Sequence, residues 1–250
     1  MWPARRLGSA AAAAAPLLIV SLVCTATPAK AGEGFAMLGV GGSTHGLHSY
    51  QGVIYAPWSS LSETGPLVRL WAKSFGFTYV TDLPDSPDSR IDAIGYGMEG
   101  DAGWQLAGEW GRAALLAGIG WRDHRLMPSD PALGLEKSRL GLTLTADGEW
   151  KLSGRFGVMG YATYLTAFDE YWVQARPYLH LGHGWKIGAD VAAFGGRSYD
   201  TVRAGLFTTG YELPFKRFGR MFMGGDAGVQ SDLSGDRIAP FVGMHAGVLF

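Results

Sequence analysis

The chain has 250 residues and a formal net charge of −1, from 21 basic and 22 acidic side chains. That balance lacks the basic excess needed to bind a phosphate backbone, which argues against nucleic acid as a partner. Its single cysteine, Cys24, rules out an intrachain disulfide, and its 38 glycines are spread along the chain, far above an average usage near 7%.

The N-terminus reads as a secretory signal peptide. Arg5 and Arg6 precede an apolar run from Ala10 to Val23, and the small-x-small triplet Ala29, Lys30, Ala31 follows. The run is interrupted by Pro16 and falls short of the roughly 20 residues of a membrane helix. Residues 1–31 are therefore expected to be removed after Sec-type export, leaving 32–250 as one domain without cysteine. Val23 stands where a lipoprotein signal needs a small residue, so Cys24 is not read as a lipid anchor.

Beyond Gly32 the recurring period is two. Leu140, Leu142, Leu144 and Ala146 alternate with Arg139, Gly141, Thr143 and Thr145. Val173, Ala175, Pro177, Leu179 and Leu181 alternate with Gln174, Arg176, Tyr178 and His180 in the same way. Such a sheet suits lipid on one face and water on the other. Twelve strands are expected near 34–43, 47–57, 66–78, 91–101, 109–122, 137–148, 154–165, 170–181, 184–194, 200–211, 219–230 and 238–250. Most are close to the length with which a tilted strand crosses a bilayer, and longer than the strands typical of soluble domains. The fold class is all-β, an antiparallel up-and-down transmembrane β-barrel of about 12 strands in contact with outer-membrane lipid. An even count puts both termini on the periplasmic side and the two longest connections, 79–90 and 123–136, outside. Trp58, Trp104, Trp110, Trp121, Trp150, Trp172 and Trp185 fall near strand ends, as an aromatic girdle would. Phe250 ends the last strand on the apolar phase and resembles the signal by which outer-membrane assembly machinery recognises its clients.

Arg69, Trp71, Lys73, Arg139, Arg176, Tyr178 and Asp190 share the polar phase with Gln174, Lys186, Phe222, Asp226 and Gln230. Basic residues on the lipid face cost about 2–4 kcal/mol near the midplane, so these side chains are expected to line the lumen. Two readings stay open for them: an internal ion-pair network that fills the barrel, or a path on which a sugar chain stacks against aromatics.

Arg122, Asp123, His124 and Asp130 form the densest polar cluster, expected in an external loop as a contact site. No spacing of known metal sites appears there, nor in the acidic stretch Asp82, Asp85, Asp88, which reads as a solvated external loop. Ser43 and His45 are the nearest approach to a nucleophile and base, but Gly-Gly-Ser-Thr-His-Gly reads first as a turn. Neither a catalytic residue nor a cofactor is assigned.

The segments Gly120-Trp121-Arg122-Asp123-His124, Pro128-Ser129-Asp130-Pro131 and Gly65-Pro66-Leu67-Val68-Arg69-Leu70-Trp71 resemble the cellulose biosynthesis protein BcsS family. The resemblance implies a non-enzymatic outer-membrane accessory that guides, exports or organises a glucan, with cellulose and cellulose synthase components as partners. It lends no catalytic residues. The alternatives are a small outer-membrane porin and an outer-membrane enzyme modifying lipid or polysaccharide.

Overall fold

A computed structural model describes residues 32–44, 46–83, 86–129, 138–197, 199–213, 220–233 and 238–250, without the side chains of 79–88. The leader and its cleavage site, His45, Asp85 and Asp130 lie outside the described residues. The twelve strands are β1 (Glu33–Ser43), β2 (Gly46–Ala56), β3 (Gly65–Leu83), β4 (Ser86–Gly108), β5 (Gly111–Met127), β6 (Ser138–Lys151), β7 (Phe156–Leu165), β8 (Glu170–Gly182), β9 (Trp185–Gly196), β10 (Tyr199–Leu213), β11 (Arg220–Asp232) and β12 (Ile238–Leu249). Each pairs antiparallel with its neighbours in sequence, and β12 closes on β1, making a closed up-and-down barrel. Closure leaves no sheet edge unpaired, which is what allows a sheet to stand in hydrocarbon.

The alternation maps onto the two faces. Leu140, Leu142 and Leu144 point outward, Leu140 being 75% exposed, while Thr143 and Thr145, on the alternate phase, are buried inside. Leu70, Met98, Ile119, Leu206, Val242 and Met244 continue this exposed apolar belt around the barrel. Trp104, Trp110, Trp150 and Trp185 mark its rim at the end that holds both termini, and Trp121 faces outward toward the other. Trp172 departs from the expected girdle: it faces inward, stacked on Phe194 with ring centroids 4.6 Å apart. Phe250 extends the closing ladder by one rung, exchanging two backbone hydrogen bonds with Gly34 (2.8 and 2.9 Å). Its ring covers Gly34, where an added Cβ would stand 2.4 Å from it.

The lengths of β3, β4 and β5 are the main departure from the expected layout. They run 19, 23 and 17 residues, so the segment 79–90 is almost wholly a strand hairpin and not a long loop. Asp82 and Asp88 accordingly belong to strands. Polar residues on the outer face mark the part of this three-stranded extension that stands clear of the apolar belt: Thr78 donates to Asp92 at 2.9 Å, and Arg90 and Arg125 pair with Asp92 and Asp123.

Candidate functional site

Inward side chains fill the lumen in two charge-balanced groups. The first joins the cations Arg69, Lys73 and Arg122 to the carboxylates Glu99, Asp101 and Glu170. Arg69, 2% exposed, donates from Nε to Asp101 at 2.7 Å, from Nη2 to Asp101 again and to Thr145 at 2.7 Å, and from Nη1 to the Tyr161 hydroxyl at 2.9 Å. The last bond runs from β3 to β7, across the interior. Glu99 accepts from Lys73 at 2.7 Å and from Arg122 at 2.5 Å, and Arg122 Nε reaches Glu170 on β8 at 2.7 Å. Buried charge persists only where it is matched and hydrogen-bonded, and here three cations meet three anions.

The second group centres on Asp190, which is fully buried. Its Oδ1 accepts from Gln174 at 2.6 Å and Arg176 at 2.9 Å, and its Oδ2 lies 2.7 Å from Arg203 Nη2. Asp226 balances the second arginine, 3.5 Å from Arg203 and 3.8 Å from Arg176. The Arg203 guanidinium lies between the rings of Trp172 and Phe241, 4.9 and 4.8 Å from their centroids, so aromatic faces replace the water it has lost. Nearer the terminal end, Glu149 accepts from Tyr178 at 2.6 Å and Lys186 at 2.7 Å.

Both mouths are packed. At the end opposite the termini, the turn between β7 and β8 folds inward and places Phe168, 2% exposed, against Ile91, Leu126, Leu165 and Phe77. Arg139 lies over the Phe168 ring at 4.9 Å. Asp169, at the exposed end of that turn, accepts from Arg197 at 2.6 Å and from Tyr164 at 2.9 Å. These bonds, the Arg197 one foremost, hold its carboxyl below the ordinary carboxylate range. At the terminal end, the connection between β2 and β3 packs Leu61 onto Ala56, Leu67, Ala114 and Leu116. Gln105 fixes that connection by donating to the carbonyls of Leu61 and Glu63, both at 2.9 Å.

The structure divides the cluster expected in an external loop. Arg122, Asp123 and His124 all lie in β5, so strand alternation sends them to opposite faces. Arg122 and His124 point inward, whereas Asp123 faces out beside Arg125. His124 packs between Phe75 and Phe168, with ring centroids 5.2 and 4.6 Å away. Phe75 reaches it from two strands away because Gly95 lies between them, where a Cβ would stand 2.2 Å from Phe75 and 2.8 Å from His124.

Of the residues read as lumen lining, Arg69, Lys73, Arg176, Tyr178 and Asp190 lie inside the barrel in the ion-paired groups, and Arg139 lies inside near the mouth. Trp71 also points inward and packs edge-on against Tyr50, with its indole nitrogen buried and without a hydrogen-bond partner. Sequence reading missed Glu99, Asp101, Glu170, Arg203 and Phe168. Glu99 and Asp101 share one face at a spacing of two, and Arg203 stands in an expected strand, so their phase was available as a signal. Nothing local marks Phe168, a phenylalanine in a turn, as interior.

A closed barrel with an apolar belt outside and charge inside defines a transmembrane β-barrel of the outer-membrane kind. The translocator domain of the autotransporter NalP from Neisseria meningitidis has a similar fold, with TM-score 0.50, 14% identity, and coverage of 95% of this chain and 96% of that one. A mutant of the monoaromatic hydrocarbon channel TodX is comparable, with TM-score 0.51, 10% identity, and coverage of 89% and 90%. The chain belongs to the cellulose biosynthesis protein BcsS family, whose model matches residues 38–249. No curated protein matches it in sequence.

Proposed function

We propose that this protein is a non-enzymatic accessory of bacterial cellulose synthesis, exported through a leader cut near Ala31, inserted into the outer membrane by its assembly machinery, and used to hold and organise the emerging glucan at the cell surface. The observation that carries this reading is the filled lumen. Arg69 and Asp190 are buried in hydrogen-bonded groups, and apolar packing stands at both mouths. A polymer passing through the barrel would have to break these contacts, which supports a glucan held at the outer mouth over one threaded through the lumen; in this reading cellulose synthase components are the partners for delivery. A porin needs an open aqueous path, which buried, balanced charge does not supply.

Deletion of the gene tests the reading. The expected result is unchanged synthesis by inner-membrane fractions, with less glucan retained on cells and more released to the medium. Unchanged amount and unchanged attachment would remove the assignment.

A further inference from the structure

The sheet that carries β3, β4 and β5 past the belt leaves one edge unpaired among the described residues. β2 pairs with β3 only as far as Phe77, opposite Gly46, whereas β3 runs on to Leu83 along the β4 ladder. Among the described residues no strand pairs with 78–83 on the β2 side. Alternate residues of that stretch therefore direct both N–H and C=O along the edge, over the roughly 20 Å that six residues of strand span.

The stretch favours an extended chain and is not blunted. Thr78, Tyr79, Val80 and Thr81 are four successive strand formers in regular register with β4, which shifts only between Thr81 and Leu83. Natural sheet edges are guarded by proline, lysine or a bulge, and residues 78–81 have none of these. The far side of the same extension differs, with Pro87 in β4 and Pro128 directly after β5. Thr78 donates to Asp92 on the outer face, and the Arg90 side chain is 71% exposed, so this edge stands in water beyond the lipid.

An unguarded edge in water is a template for one more strand, held by main-chain hydrogen bonds and selected by side chains. The local charge indicates which strand: from 78 to 90 the chain carries Asp82, Asp85 and Asp88 against Arg90 alone. A second copy of this chain fits poorly. Two barrels in one membrane stand the same way up, so their β3 strands ascend together, whereas two-fold pairing of an edge with itself runs antiparallel. A copy would also set acid against acid.

We infer that residues 78–83 of β3 form a docking edge for an extended, basic segment of another protein at the cell surface, which joins the sheet as a further strand outside the membrane. The inference goes beyond the cellulose reading and does not depend on it.

The test uses the purified full barrel in lipid nanodiscs and the labelled peptide Lys-Thr-Val-Lys-Thr-Val-Lys as probe. One control peptide is N-methylated at two adjacent amides, which removes a donor from each of its edges, and another has Glu for every Lys. Fluorescence anisotropy should show the basic peptide binding at least about tenfold tighter than either control, with hydrogen exchange slowed at alternate amides of 78–83. Tyr79→Pro and Val80→Pro are neighbours of opposite phase, so one of them takes a donor from the free edge and leaves the β4 ladder whole. That variant should keep heat-modifiable gel mobility and bind the peptide about tenfold more weakly. Equal binding of the N-methylated peptide, protection only outside 78–83, an unchanged affinity in both proline variants, or no binding at about 1 mM peptide would overturn the docking edge. Equal binding of the Glu peptide would overturn the preference for a basic segment. Slow exchange at 78–83 without peptide would also overturn the inference, assigning the edge to a second copy if it grows with barrel concentration and to this chain's own cover if it does not.

Discussion

Asp190 shows how much one interior residue carries. Gln174, Arg176 and Arg203 converge on its two carboxylate oxygens, and no solvent reaches it. Asp190→Ala leaves two arginines facing each other with only Asp226 between them. Breaking a buried pair from one side costs about 3–5 kcal/mol, so a loss of that order is expected in urea titrations of the folded fraction. A loss below about 1 kcal/mol would mean that water enters this part of the lumen and screens the arginines, as it does for exposed pairs. The surface pair of Arg220 and Glu212, at 3.1 Å, is the contrasting case, since both partners sit in water and removal should change little.

Among the elements, each strand is required to present lipid and lumen at alternate positions. Leu70, exposed on the belt between Val68 and Ala72, stands one residue from Arg69, which is buried inside. Leu70→Arg is therefore expected to destabilise the barrel by about 2–4 kcal/mol, read by the same titration in lipid vesicles, although an arginine is native at the next position. The closing pair of strands depends on its last rung. Deleting Phe250 removes both hydrogen bonds to Gly34 and the ring that covers it, and should lower the yield of heat-modifiable barrel in the outer-membrane fraction. A yield equal to the full chain would show that closure of β12 on β1 does not need that rung. The long β3–β5 sheet follows a different logic: beyond the belt its outer face carries Arg90, Asp92, Asp123 and Arg125, and its inner face packs onto Phe168.

For the molecule as a whole, the packed interior predicts electrical silence. Reconstituted in planar bilayers, the barrel should show no steady open current. A stable conductance would mean that the groups around Arg69 and Arg203 part to admit water, and would restore the porin reading. The two mouths differ in what they offer to partners. At the terminal end the β2–β3 connection is tied down by Gln105, while the opposite mouth carries the β3–β5 extension, whose β3 edge runs on past β2.

The sequence by itself determined the number and order of the strands and, along its clearest alternating runs, the side each residue faces. Lipid demands an uninterrupted alternation that can be read locally, as in Leu140 to Thr145, and a one-residue error would put charge into hydrocarbon. It also carried the family, through motifs that straddle β3 and β5. Only the tertiary structure decided which inward charges meet, because the partners of Arg69 lie as far as 92 residues away and are chosen by barrel register. Register likewise decided that β3, β4 and β5 continue past the belt, which turned an expected loop into a hairpin and brought His124 inside while leaving Asp123 out. The inward fold of Phe168 arises from apolar surface on Ile91, Leu126 and Leu165, three positions that come together only when the barrel closes.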